Sequence, residues 1–242
     1  MVRLFFIFCS LIFTSLFTLL TFWLPIQGQS TIDVINRLPL LIAPATYVYI
    51  IWLIVFILLF VWAISLFKNR RSLTFITPIQ TIIFVLVMIF QATSIYFWNI
   101  EELIYSLWLI GLQLVFLFAL YLTYPMDREH LKVRMPIAIY FSWTTFLFII
   151  NVCYLLMYNE WRGFGLSNAL WVVIILTFLT AVALHLRYHH YDIAYPAVFV
   201  WCFVGIAISN GFYELLVTTS SLFLSGVLLV GILFMKKNPV RS

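Results

Sequence analysis

Long apolar runs dominate this sequence, and their length decides what the chain can fold into. A helix that crosses a hydrocarbon core of about 30 Å needs roughly 17 to 25 consecutive, mostly apolar residues. Eight such runs occur, covering approximately 4–24, 46–67, 79–98, 103–124, 136–158, 167–186, 193–209 and 215–235. The seventh is short, and only "NGFYE" separates it from the last, so seven spans is the open alternative. Charged residues make up 9% of the chain, against about 25% in soluble domains, too few to clothe a water-facing surface. The expected fold is all-α: a polytopic transmembrane helix bundle of about eight helices, one integral membrane domain over 1–242.

The net charge of +5 suggests anionic partners until the basic residues are placed on the spans. With eight spans and a cytoplasmic N-terminus, Arg3, Lys68, Arg70, Arg71, Arg128, Lys132, Arg134, Arg187, Lys236, Lys237 and Arg241 all fall on the cytoplasmic side. Only Arg37 and Arg162 fall opposite. Short loops carry their Lys and Arg inside, so the asymmetry predicts a multi-pass cell-membrane protein with both termini cytoplasmic. The charge is a topology signal, and no nucleic-acid partner is expected.

The first run, "MVRLFFIFCSLIFTSLFTLLTFWLP", is longer than the apolar part of a signal peptide, and no small-x-small cleavage site follows it. It reads as a retained helix. Cys9, Cys153 and Cys202 lie inside apolar runs without paired spacing, so they read as small buried hydrophobes. No metal site is expected. The longest connection, "PIQGQSTIDVINRLPLLIAPA", holds Pro25, Pro39 and Pro44 and the opposite charges Asp33 and Arg37. Long connections in compact proteins tend to be functional covers or disordered. This one is semi-apolar, so residues 39–47 are expected to fold over the outer mouth of the bundle.

The fifth run, "RMPIAIYFSWTTFLFIIN", carries residues that lipid does not ask for. At 100° per residue with Tyr140 at zero, Trp143 falls at about −60°, Asn151 at about +20° and Pro136 at about −40°. They share one stripe flanked by Phe146, while Phe141, Thr145, Phe148 and Val152 face away. Trp143 is roughly 10 Å along the helix from Pro136, deeper than an interfacial belt. An amide such as Asn151 needs a partner in hydrocarbon, so the stripe faces protein or a cavity. Interhelical packing and a binding pocket both satisfy it. Trp23, Trp52, Trp98, Trp108, Trp161 and Trp171 fall in the outer half, against chiefly Trp62 on the inner side. An outer aromatic belt or a stacking pocket for a flat ligand explains that asymmetry equally well.

The chain resembles the TspO/MBR family (tryptophan-rich sensory protein, or translocator protein), especially long bacterial members with extra C-terminal helices. Pro136, Tyr140, Trp143 and Asn151 match the family's P-x-x-x-Y-x-x-W stretch and its later asparagine, and Phe146 sits at the family's phenylalanine. "LIAPATYVYIIWLIVF" is similar to the family's proline-aromatic entry into the second helix, with Pro44, Tyr47 and Trp52 carried over; "QATSIYFWN" matches at Trp98. "EWRGFGLSNALWVVIIL" and "YPAVFVWCFVGIAI" resemble the extra helices. Departures are a single proline for two, Phe56 for tyrosine, and Leu147 for a small alanine, a change expected to shrink a cavity or keep helices apart.

The resemblance implies a TspO-like five-helix core over 1–158, three further helices over 159–242, and a pocket closed by the first loop. It implies ligand contacts from Pro44, Tyr47, Trp52, Trp98, Tyr140, Trp143, Phe146 and Asn151, and a flat hydrophobic ligand of tetrapyrrole or sterol type. A porphyrin-type molecule would then be a ligand, with no cofactor required. Partners are the lipid bilayer and that small molecule, with a homodimer left open.

Other constellations carry less. His185 and His189 are spaced i, i+4, with His190 and Asp192 following, but the group lies at a predicted membrane boundary where such residues anchor helices. Glu101 and Glu102 occupy a short outer turn with no evident acid–base partner. No nucleophile elbow, Walker or metalloprotease motif occurs, so an enzyme is not favoured. The functional expectation is a receptor or carrier for a flat hydrophobic molecule. The alternative is a permease-like or accessory subunit of a transport complex, without a ligand of its own.

Overall fold

A computed structural model describes residues 2–25, 28–68, 76–124 and 131–235. Arg70, Arg71, Arg128, Lys236, Lys237 and Arg241, which weigh in the charge asymmetry, lie outside the described residues. The described chain is helical, with α1 over Val2–Trp23, α2 Thr31–Arg37, α3 Ile51–Lys68, α4 Pro78–Asn99 and α5 Leu103–Leu122. Then follow α6 over Leu131–Tyr158, α7 Asn168–His190, α8 Ala194–Asn210 and α9 Leu215–Phe234. The eight apolar runs become α1 and α3 to α9. A 3-10 turn, Thr46–Ile50, leads into α3 and completes its apolar span.

Seven of these spans are long and apolar enough to cross a membrane; α8, with 17 residues, is shorter. Its ends nonetheless reach opposite ends of the bundle. Beside its first turn, Arg134 donates to the His190 carbonyl (2.6 Å) and Asp192 caps the helix. At its last residue, the Asn210 amide donates to the Leu41 carbonyl at 2.9 Å. Seven helices thus meet the requirement for a span by length and composition, and the seventh run is the marginal one. Basic residues secure one end: Arg3 donates to the Ile76 carbonyl (3.2 Å) and Arg187 to the Ile232 carbonyl (3.0 Å).

Local chemistry sets the boundaries. Thr77 and Gln80 form a capping box ahead of Pro78, whose missing N–H costs nothing at a helix start. Ser167 caps α7 through the Leu170 N–H. That helix runs to His190, one turn past its apolar run, because Arg187, His189 and His190 suit a C-terminal turn. α6 likewise begins before its run and places Pro136 inside the helix, where one backbone bond is forgone.

The packing divides in two. Helices α1, α3, α6, α5 and α4 each touch the next, and α4 closes back on α1, making a five-helix ring. Helices α7, α8 and α9 pack on one another, and α8 joins them to the ring through α6. Consequently α6 is enclosed on both faces. Tyr140, Trp143 and Phe146 are fully buried, yet Phe141, on the opposite face, is also buried against Tyr121 and Tyr195.

The first connection is not a plain loop. Ser30 and Asp33 form a capping box that starts α2, and their hydrogen bonds hold the Asp33 carboxyl below its ordinary range. Asp33 and Arg37 do not pair. Arg37 instead meets Glu101 at 2.5 Å, which gives the Glu101 turn a structural partner. Beyond α2, the chain packs along α8: the Ala45 N–H donates to the Gly205 carbonyl (3.0 Å), and Trp201 Nε1 donates to the Val48 carbonyl (3.2 Å). Gly205 permits this approach, because a Cβ there would lie 2.2 Å from a Val48 methyl carbon.

Candidate functional site

A cavity of about 50 Å³ lies inside the five-helix ring. Each wall contributes residues at helical i, i+3, i+4 or i+7 spacing. These are Thr18 and Phe22 from α1, Thr31 and Ile35 from α2, and Tyr49 and Trp52 from the turn into α3. The other walls bring Gln91, Ser94, Ile95 and Trp98 from α4, Ser106 and Ile110 from α5, and Leu147, Ile150 and Asn151 from α6.

Two polar groups knit the walls together. The Ser106 hydroxyl donates to Asn151 Oδ1 (3.2 Å), and the Ser94 hydroxyl donates to the Ser106 carbonyl at 3.1 Å. Gln113 Nε2 donates to Gln91 Oε1 (2.7 Å) and to the Tyr140 hydroxyl (2.8 Å). These bonds engage amides that would otherwise be stranded in an apolar interior, while Gln113 Oε1 keeps no partner among the described residues. Three polar atoms on the lining have no partner among the described residues: Thr18 Oγ1, Tyr49 Oη and Trp98 Nε1. Their residues are 1%, 5% and 5% exposed, so bulk solvent does not satisfy them either.

Of the residues expected from sequence, Trp52, Trp98 and Asn151 line this cavity. Tyr140, Trp143 and Phe146 form a layer behind it. Trp143 meets Tyr49 and Trp52 edge-to-face, with ring centroids 5.8 and 5.9 Å apart, and stacks on Phe146. Pro44 and Tyr47 stand apart from the cavity: Pro44 packs at Gly205, and Tyr47 lies edge-on to Trp201 on α8. Cover over the cavity comes from Thr31 and Ile35 of α2, not from residues 39–47. Leu147, where the resembling family carries a small alanine, is itself a lining residue.

Sequence reasoning missed Thr18, Tyr49, Gln91, Ser94 and Ser106. The available signal was periodic: Gln91, Ser94 and Trp98 share one stripe of α4, as Ser106 and Gln113 share one of α5. It also missed the cluster at the start of α8, where Tyr121 donates to Asp192 Oδ2 (2.7 Å) and Arg134 lies 3.9 Å from the same oxygen. Asp192 is thereby engaged as a cap and a counter-ion. Among the described residues, no group of three metal-ligating side chains occurs.

A larger groove of about 780 Å³ runs between α3, α6 and α8. Its rim residues Ile50, Ile54 and Ile193 are exposed on the outside of the bundle, so it faces the bilayer and holds none of the expected residues.

A model of the TSPO-like protein family matches residues 4–234, nearly the whole chain. No curated protein and no solved structure gives a significant match. A five-helix ring lined by tryptophan and asparagine, three further helices, and a family match of that extent agree: this integral membrane protein belongs to the TSPO-like protein family.

Proposed function

We propose that the protein is a receptor or carrier in the cell membrane, with both termini cytoplasmic, that binds a flat hydrophobic molecule of tetrapyrrole or sterol type at the ring cavity. The observation that carries this reading is the cavity lining, where two tryptophans and a tyrosine surround buried polar atoms that lack partners. Aromatic walls supply stacking area, and a few polar groups fix orientation, as in small-molecule sites generally.

At about 50 Å³, the cavity has room for a few waters, whereas sites for drug-sized ligands measure about 300–1,000 Å³. Binding therefore requires the α2 cover to lift. Among the described residues that helix packs chiefly on α1 and α4, held by the Arg37–Glu101 pair and by the Thr31 hydroxyl donating to Asn99 Oδ1 at 2.8 Å.

Titration of the purified protein with protoporphyrin, followed by tryptophan fluorescence, tests the reading against an aliphatic lipid control. Saturable quenching by the porphyrin alone is expected. Quenching that never saturates, or that the aliphatic lipid reproduces, overturns it.

A further inference from the structure

The chemistry of the cavity lining selects among ligands, an inference that rests on the binding reading above. None of the lining residues carries a formal charge. The nearest candidate cation on the cover, Arg37, is already engaged by Glu101. The amide oxygens at the wall are also committed: Asn151 Oδ1 to Ser106, and Gln91 Oε1 to Gln113 and Tyr140. What the protein leaves unpartnered are two hydroxyls and an indole N–H, on Thr18, Tyr49 and Trp98. An indole N–H can only donate, and a hydroxyl can donate while turning to suit. The lining can thus turn up to three neutral donors, one of them donor-only, toward a ligand, and it carries no charge.

We infer that the site recognises a flat apolar body bearing a neutral hydrogen-bond acceptor, a ketone, ester or amide carbonyl, and discriminates against free carboxylates. A carbonyl oxygen accepts from Trp98 Nε1 and one of the hydroxyls without bringing a charge. A carboxylate would have to leave water for a buried lining with no charged residue of its own, and neutral donors compensate only part of that loss.

The test compares protoporphyrin IX with its dimethyl ester, which share a ring and differ in two charges. Both are titrated at pH 7.5 into wild-type protein in nanodiscs, with tryptophan quenching as the readout. The ester is expected to bind about tenfold tighter or better, one step of the affinity scale. The same pair is then titrated into Thr18→Val and Trp98→Phe, each folded by circular dichroism. The ester is expected to lose most of its advantage in both, since the donors that read its carbonyl are gone. A dicarboxylate that binds as tightly as the ester overturns the inference while leaving ligand binding intact. An ester advantage unchanged in both variants reflects partition into lipid and overturns it equally. Failure of both compounds to quench saturably removes the binding reading itself, and this inference with it.

Discussion

Asp192 is the residue whose removal the structure prices most definitely. It is 3% exposed and accepts two hydrogen bonds from the start of its own helix and one from α5. Oδ1 takes the Ala194 and Tyr195 N–H groups at 2.9 and 3.1 Å, capping α8, and Oδ2 takes the Tyr121 hydroxyl at 2.7 Å. Arg134, 1% exposed, lies 3.9 Å away, with its guanidinium 5.1 Å from the centre of the Tyr121 ring. Asp192→Ala takes a carboxylate from beside that buried cation, which costs about 3–5 kcal/mol, and removes a cap worth about 1 kcal/mol. Asp192→Asn keeps an oxygen for the cap but loses the charge and the acceptor for the Tyr121 hydroxyl. Arg134→Met should be milder than Asp192→Ala, because Asp192 retains three donors. The double variant Arg134→Met/Asp192→Leu should be milder than the two single changes summed, since no lone charge is left. At about 2–4 °C per kcal/mol for a chain of this size, Asp192→Ala should lower the apparent Tm by roughly 8–24 °C. Circular dichroism in detergent at a fixed scan rate reads this, since membrane proteins seldom unfold reversibly. A Tm within 2 °C of wild type, or a larger loss from Arg134→Met than from Asp192→Ala, refutes the account.

Leu147→Ala widens the cavity, so porphyrin affinity should rise while thermal stability falls by up to about 2–5 kcal/mol; unchanged or weaker binding at lower stability would mean that the side chain does not limit ligand entry. The Asp33 carboxyl is held below its ordinary 3.8 by Ser30, so its contribution to α2 is present above that value and lost as pH falls through the lower folded value. A spin label at exposed Asn36 should therefore gain mobility below about pH 4 in wild type, and an Asp33→Asn background should remove that pH dependence. With the native cysteines replaced, Asn36→Cys should react with an impermeant reagent from outside and Ser242→Cys should not; equal labelling rejects the proposed orientation.

The helices were legible because length and hydropathy in a membrane leave few alternatives. Satisfying every backbone group inside lipid forces the apolar runs into helices, whatever their side chains. What lay outside that constraint was read less well. The Ser30–Asp33 capping box was visible as letters, yet α2 has 7 residues and too little apolar length to register as an element. Asp33 and Arg37 sit at the i, i+4 spacing that favours pairing, but Asp33 caps its own helix and Arg37 finds Glu101, far away in sequence. Arg134 and Asp192 escaped for a related reason: each looks like an ordinary anchor at a helix end, and only the docking of α8 on α6 brings them together. On the cavity wall, the helical stripe of α6 located Asn151. Tyr49, Ser94 and Ser106 carried no motif, only a helical period within apolar runs.

The two faces of α6 decide where a ligand can enter. One face bonds inward, Tyr140 to Gln113 and Asn151 to Ser106. The other is fixed to α8, where the Ser142 hydroxyl donates to the Tyr195 carbonyl (2.8 Å) and Tyr195 donates to the Thr145 hydroxyl at 3.1 Å. Widening the ring by moving α6 would break buried hydrogen bonds on both sides, each exposing groups that cost about 1–3 kcal/mol when left unmade. The three C-terminal helices thus brace the cavity wall from behind. The cover α2 is held differently. Its Arg37–Glu101 pair is 41% and 29% exposed, a class of contact worth about 0–1 kcal/mol, and a short helix recovers little on its own. Lifting α2 breaks that pair and the Thr31–Asn99 bond but leaves both faces of α6 intact, so on the proposed binding reading a flat molecule would reach Trp52 and Trp98 from under α2, at the end of the ring opposite the basic anchors.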